Sequence, residues 1–254
     1  MIYLLGHKGF VGSAIEKYFQ SKNEEVIGIG KENYDSFAGS SCDILINANG
    51  QSIKRWANEH PREDFNANVV SCLSSIFDFN SRKYILISTI DVYNEPSSIN
   101  RTSEDTIIFP EILSPYGFDK YMEELVVKKH CKEWIILRLG GMVGEGLKKN
   151  AVFDLLNSKT LFVNPDSELP YMNTADVARI LHALLPRNGI FNIVGDGTIK
   201  LRDLAQHMGI VLPKSLDAKK VEKYEINIRK LKSLIEVPKS EKTVLDFVSQ
   251  WNKN

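Results

Sequence analysis

Net charge is the first thing this sequence lacks. Its 254 residues carry 32 Lys and Arg against 32 Asp and Glu. Proteins that hold nucleic acid concentrate basic side chains on one face. Here the pairs Lys128-Lys129, Lys148-Lys149 and Lys219-Lys220 are short, scattered and read as solvated charge. Nucleic acid is therefore not an expected partner. Cysteine is scarce too. Cys42, Cys72 and Cys131 are odd in number, widely spaced and never in a CxxC pair. That excludes a disulfide framework and suits a reducing, cytoplasmic setting. The five histidines, His7, His60, His130, His182 and His207, never fall at metal-ligand spacing, so no metal is expected. Long apolar runs are also missing. No stretch approaches the ~20 residues of a membrane span. The opening run of residues 1–5 is too short for a signal peptide and has no basic flank before it.

What is present is alternation. Short apolar runs at 2–5, 26–29, 44–48, 84–87, 135–139 and 190–194 read as buried strands. Between them, helical spacing marks 11–19, 65–79, 116–131, 152–156, 175–185, 201–208 and 244–251. Such alternation predicts βαβ units around a parallel sheet. The second half is less regular. Residues 161–164 read as a strand before a turn at Pro165-Asp166, and 221–228 as a further strand candidate.

Between the first run and the first helix lies Gly6-His7-Lys8-Gly9-Phe10-Val11-Gly12. Gly6 permits a tight turn, Gly9 lets a pyrophosphate approach the backbone, and Gly12 lets the helix pack close to the sheet. The N–H groups of the first helical turn, around Phe10 and Val11, then face the phosphates. In this context the spacing predicts dinucleotide binding. The fold class expected is α/β, a Rossmann-type doubly wound parallel sheet with a small α/β cap. The dinucleotide-binding domain should span 1–140, with about 173–195 returning to it, and 141–172 and 196–254 should form the cap. At the end of the second run stand Gly30, Lys31 and Glu32. An acid there takes the ribose hydroxyls of NAD, whereas cations take the 2′-phosphate of NADP. Lys31 and Lys8 favour NADP(H); Glu32 leaves NAD(H) open.

Ser114-Pro115 reads as an N-cap and first helical residue, and it sets Tyr116 and Lys120 on one face of the helix that follows. A tyrosine is a poor base near neutrality. A cation about 5 Å away at an effective dielectric of 20 contributes roughly 3 kcal/mol, equivalent to lowering its pKa by roughly two. Tyr116 would then exchange a proton with a hydroxyl or carbonyl, and Lys120 would also hold the nicotinamide ribose. The run 84–87 ends in Ser88 and Thr89, followed by Ile90 and Asp91. Ligand chemistry in open α/β sheets sits at such strand ends. Thr89 is expected to bond the reacting oxygen, Ser88 to cap the backbone or touch cofactor, and Asp91 to orient substrate.

These motifs together resemble the extended short-chain dehydrogenase/reductase family, also called the NAD-dependent epimerase/dehydratase family. The resemblance runs through the glycine loop, Asn47-Ala48-Asn49-Gly50, Thr89, the Tyr116/Lys120 pair, Leu137-Arg138-Leu139 with Val143-Gly144, Asn173 to Ala178, and Gly189 to Gly195. It implies that Asn47, Ala48 and Asn49 line the cofactor and that Thr89, Tyr116 and Lys120 are catalytic. It also implies that Asn150 reaches a sugar-nucleotide phosphate, and that copies pair through two helices, one of them 116–131. Ile90-Asp91 replaces the Asp-Glu of the hexose dehydratases, which points away from dehydration. The resemblance is strongest to the nucleotide-sugar 4-keto reductases. An epimerase with tightly held NAD is the alternative, and a non-catalytic NADP-binding regulator a third reading.

Overall fold

The computed structural model describes residues 1–157 and 161–251. Residues 158–160 and 252–254 of the expected cap lie outside the described residues. The chain forms two compact units. The first comprises Met1–Asn94, Ile107–Leu139 and Ala175–Phe191; the second comprises Glu95–Thr106, Gly140–Thr174 and the residues from Asn192 onward.

The first unit opens with β1 (Ile2–Leu5), α1 (Phe10–Ser21), β2 (Val26–Ile29), a short α2 (Tyr34–Phe37) and β3 (Ser41–Asn47). Then come α3 (Lys54–Glu59), α4 (Pro61–Phe65), a π-helical turn (Asn66–Val70), α5 (Ser71–Asp78) and β4 (Asn80–Thr89). A 3₁₀ turn, Ile90–Val92, leads on towards α6 (Pro115–His130) and β5 (Glu133–Leu139). The sheet order is β2-β1-β3-β4-β5-β9, where β9 is Gly189–Ile193. Strands β2, β1, β3, β4 and β5 pair in parallel. Leu4, Leu45, Ile46, Ile85, Leu86 and Ile135 are fully enclosed. Helices cover both faces of such a sheet, so its strands read as continuous apolar runs. The order reverses between β1 and β3, which leaves a crevice at their carboxyl ends. Both the glycine loop and the Asn47-Gly50 loop start there.

Three expectations are corrected. The helix expected at 65–79 is interrupted by the π turn, a feature frequent at functional sites. The segment 161–164 is irregular rather than a strand. Asn164 there bonds the carbonyls of Asp217 and Lys219 and accepts from the Asp166 N–H, which ties the chain into a loop. The stretch 221–228 is extended but makes only the single bridge Lys223 to Glu168, because its polar residues offer no continuous face to a partner strand.

The second unit holds β6 (Gly141–Val143), α7 (Ala151–Leu156), β7 (Glu168–Leu169), β8 (Tyr171–Asn173), and the first residue of α8 (Thr174–Leu184). It continues through β10 (Ile199–Lys200), α9 (Leu201–His207), α10 (Arg229–Lys232) and α11 (Ser240–Trp251). β6 pairs with β8 and β10 with β7. Among the described residues no helix is long and apolar enough to cross a membrane.

Candidate active site

The glycine loop is built for close approach. Gly6 has φ of +75°, and a Cβ on it would stand 2.6 Å from the Ala48 carbonyl oxygen. A Cβ on Gly12 would meet the Gly6 oxygen at 2.1 Å. The β1–α1 and β3–α3 loops are therefore pressed together as only glycine allows. Gly9 is the exposed N-cap of α1, and no side chain caps that helix or puts an acid in its first turn. The amide end of α1, around Phe10 and Val11, is thus offered to an anion. Asn47 and Asn49 are fixed beside it: Asn47 accepts from the Asn49 N–H and donates to the Tyr84 hydroxyl at 2.8 Å. These residues fit a dinucleotide. At its expected ribose end Lys8 is ion-paired with Glu32, and the Glu32 carboxylate lies against Gly30. Lys31 stands exposed next to them.

The catalytic candidates sit where β4 ends and α6 begins. The Thr89 hydroxyl donates to Asp91 Oδ2 at 3.1 Å and accepts from the Asp91 N–H. Lys54 of α3 holds the other carboxylate oxygen, Oδ1, at 2.6 Å. Ser114 caps α6 by accepting from the Gly117 N–H. Gly117 lets the first turn press on the Asp91 carbonyl, 2.5 Å from where a Cβ would be. That contact sets Tyr116 beside Asp91. One turn on, Lys120 donates to the Ile87 carbonyl oxygen at 2.9 Å and to Glu123 Oε2 at 2.8 Å.

The lowered tyrosine pKa expected from Lys120 is not what the site holds. Burial pushes the Tyr116 phenol up to about 12. Lys120 and Lys54 pull it down, but Asp91 and Glu123 oppose them. Spacing along the helix supplies the cation but neither the desolvation nor the two acids. Neighbouring residues of a strand face opposite sides, and the Ser88 hydroxyl is buried, donating to Glu124 Oε1 at 2.7 Å. Its side chain braces α6. Asn150, in the second unit, caps α7 by accepting from the Phe153 N–H and donates to the Met142 carbonyl oxygen, so its amide is committed to the backbone.

Four participants were missed: Lys54, Glu123, the Glu124–Arg138 pair and the Asp64–Asp119 pair. One signal was available. The inward face of α6 carries Tyr116, Asp119, Lys120, Glu123, Glu124 and Val127. Such a polar face has no reason to be buried unless it serves the site. Asp64 of α4 is fully buried and no hydrogen-bond donor meets its oxygens. Asp119 lies beside it. Burial, then Asp64, raises Asp119 to about 7. The folded protein thus holds a proton that the unfolded chain, with an ordinary value of 3.8, releases. This contribution to stability is full below about pH 4 and is lost as pH rises through about 7. Asp119→Asn is expected to flatten that decline and to raise stability at pH 8, read by urea unfolding across a pH series.

A six-stranded sheet with its glycine loop at the switch point, and a Tyr/Lys/Thr set at the end of the fourth strand, defines a Rossmann-type protein. The NAD-dependent epimerase/dehydratase family matches over residues 2–194, and the chain belongs to it. It is an extended short-chain dehydrogenase/reductase, a family whose cofactor is NAD or NADP. No curated protein sequence matches it. Solved structures share its fold at low identity. MoeE5 in complex with UDP-glucuronic acid and NAD superposes with a TM-score of 0.83 at 15% identity, covering 99% of this chain and 98% of that one. A UDP-galactose 4-epimerase gives 0.80 at 18%, covering 99% and 98%. A dTDP-4-dehydrorhamnose reductase from Clostridium acetobutylicum gives 0.79 at 18%, covering 99% of each chain.

Proposed function

We propose that this protein reduces the carbonyl of a nucleotide-linked keto-sugar, with NADP(H) as its cofactor. The observation that carries the reading is the convergence of Tyr116 and Lys120 on the inner face of α6 with Thr89 and Asp91 at the end of β4. The cofactor, when bound, supplies hydride to the carbonyl carbon. Tyr116 gives its phenolic proton to the carbonyl oxygen. Thr89 turns its hydroxyl from Asp91 to that oxygen and steadies the developing charge. Lys120 stabilises the tyrosinate left behind, and Asp91, held by Lys54, orients a sugar hydroxyl. Asn150 is proposed to approach the sugar-nucleotide phosphate through its backbone, since its amide is engaged.

Glu32 favours a second reading. Its carboxylate at the ribose end suits NAD, and an epimerase would keep NAD bound through a cycle of oxidation and reduction. The test follows NADPH and NADH absorbance against a panel of nucleotide-linked keto-sugars. Consumption of NADPH is the expected result. Purified protein that carries stoichiometric NAD and interconverts sugars without added cofactor would replace this reading with the second. Glu32→Gln releases Lys8 from its partner and is expected to raise the preference for NADPH over NADH roughly tenfold, checked by fluorescence titration of both dinucleotides.

A further inference from the structure

The cation beside Tyr116 does not act alone. Lys120 and Glu123 are both almost wholly enclosed, their side chains 5% and 1% exposed, and they form an ion pair one turn apart on α6. Glu123 spends Oε2 on Lys120, and its other oxygen, Oε1, meets no donor. A surface pair at this spacing is screened by water. A desolvated one imposes its field on whatever lies beside it. Here that neighbour is Tyr116, one turn before Lys120.

We propose that Glu123 is a positioning residue that takes Lys120 as its counter-ion, keeps Tyr116 a proton donor, and so extends carbonyl reduction to more alkaline pH. The inference rests on the reductase reading above. Reduction begins with a protonated phenol; oxidation begins with a tyrosinate base. An unopposed Lys120 would favour the tyrosinate. The charged groups facing the phenol are instead two cations, Lys120 and Lys54 of α3, against two carboxylates, Glu123 and Asp91 of the 3₁₀ turn. They oppose one another, and burial, the largest influence, holds the phenol neutral.

The groups behind Glu123 add to the effect. Asp64 of α4 and Glu124 of α6 both face it with negative charge. Glu124 is matched by Arg138 of β5 at 2.7 Å, whereas no hydrogen-bond donor meets the oxygens of Asp64. Cys72 of α5 is the remaining titratable neighbour, and burial raises it to about 12, so it adds no charge near neutrality. Lys120 is the cation that faces Glu123.

The test needs no substrate. Tyrosinate absorbance is followed across pH, and the trace of Tyr116→Phe is subtracted so that Tyr116 alone is read. The experiment is repeated on a Glu123→Gln background. The expected result is that the Tyr116 midpoint falls by about one pH unit or more, with Glu123→Asp restoring most of it. Glu123→Met, apolar and of similar length, serves where the amide variant does not fold. An unchanged midpoint in the charge-removing variants overturns the proposal. Turnover is measured separately. A shifted midpoint in a protein that reduces no keto-sugar keeps the role of Glu123 and removes the substrate assignment. In an active protein, Glu123→Gln should lower kcat for reduction on the alkaline side several-fold with KM unchanged.

Discussion

Tyr116→Phe is expected to lower turnover by about 10²–10⁴-fold while dinucleotide affinity stays at its original value. The substitution deletes one oxygen from a side chain that is only 7% exposed, and the ring keeps its place against the start of α6. Among the described residues the fold makes no hydrogen bond through that oxygen, so stability should change little. What disappears is the proton delivered to the reacting oxygen. Hydride addition without it must generate an unprotonated alkoxide in a water-poor site, and Thr89 alone offers it a hydrogen bond. Steady-state kinetics with the best keto-sugar from the panel, together with dinucleotide titration, separates the two effects. A variant with kcat close to wild type would remove Tyr116 from the mechanism.

Arg138→Met is expected to cost about 3–5 kcal/mol of folding stability, because it strips the partner from a buried carboxylate. The guanidinium is 1% exposed. It donates through Nε to Glu124 Oε1 at 2.9 Å and through Nη2 to Oε2 at 2.7 Å, and it lies 4.8 Å from the Tyr93 ring centroid. Glu124 also takes the Ser88 hydroxyl. One fork thus ties β4, α6 and β5 together, directly behind the face that carries Tyr116 and Lys120. Methionine fills the volume but leaves Glu124 charged and enclosed with a single hydroxyl. For a chain of this length the loss corresponds to a fall in Tm on the order of 10 °C, read by calorimetry. The double variant Arg138→Met with Glu124→Leu removes the stranded charge and should recover much of the loss. If it recovers none, packing and not charge is what the pair supplies.

Much of the site was legible along the chain. Gly6, Gly9 and Gly12 announce a loop suited to phosphate, because Gly6 takes a left-handed turn and a Cβ at Gly6 or Gly12 would strike neighbouring backbone. Tyr116 and Lys120 declare a shared helix face by their separation, and Thr89 ends an apolar run where an open sheet gathers ligands. The parallel strands were legible for a similar reason, since enclosure on both faces leaves an unbroken apolar signature. The 161–164 segment misled because a short apolar run carries no information about whether a neighbouring strand exists to pair with it.

The sequence alone nominated the candidate side chains, since local spacing and strand ends obey the geometry of single elements. Their ionisation was decided only by the tertiary structure. Whether Tyr116 rests as phenol or phenolate depends on Lys54, Asp91 and Glu123, drawn from three elements, and on the depth at which they enclose it. Electrostatic energy depends on distance and on the exclusion of water, and neither is written in the order of residues until the chain has folded.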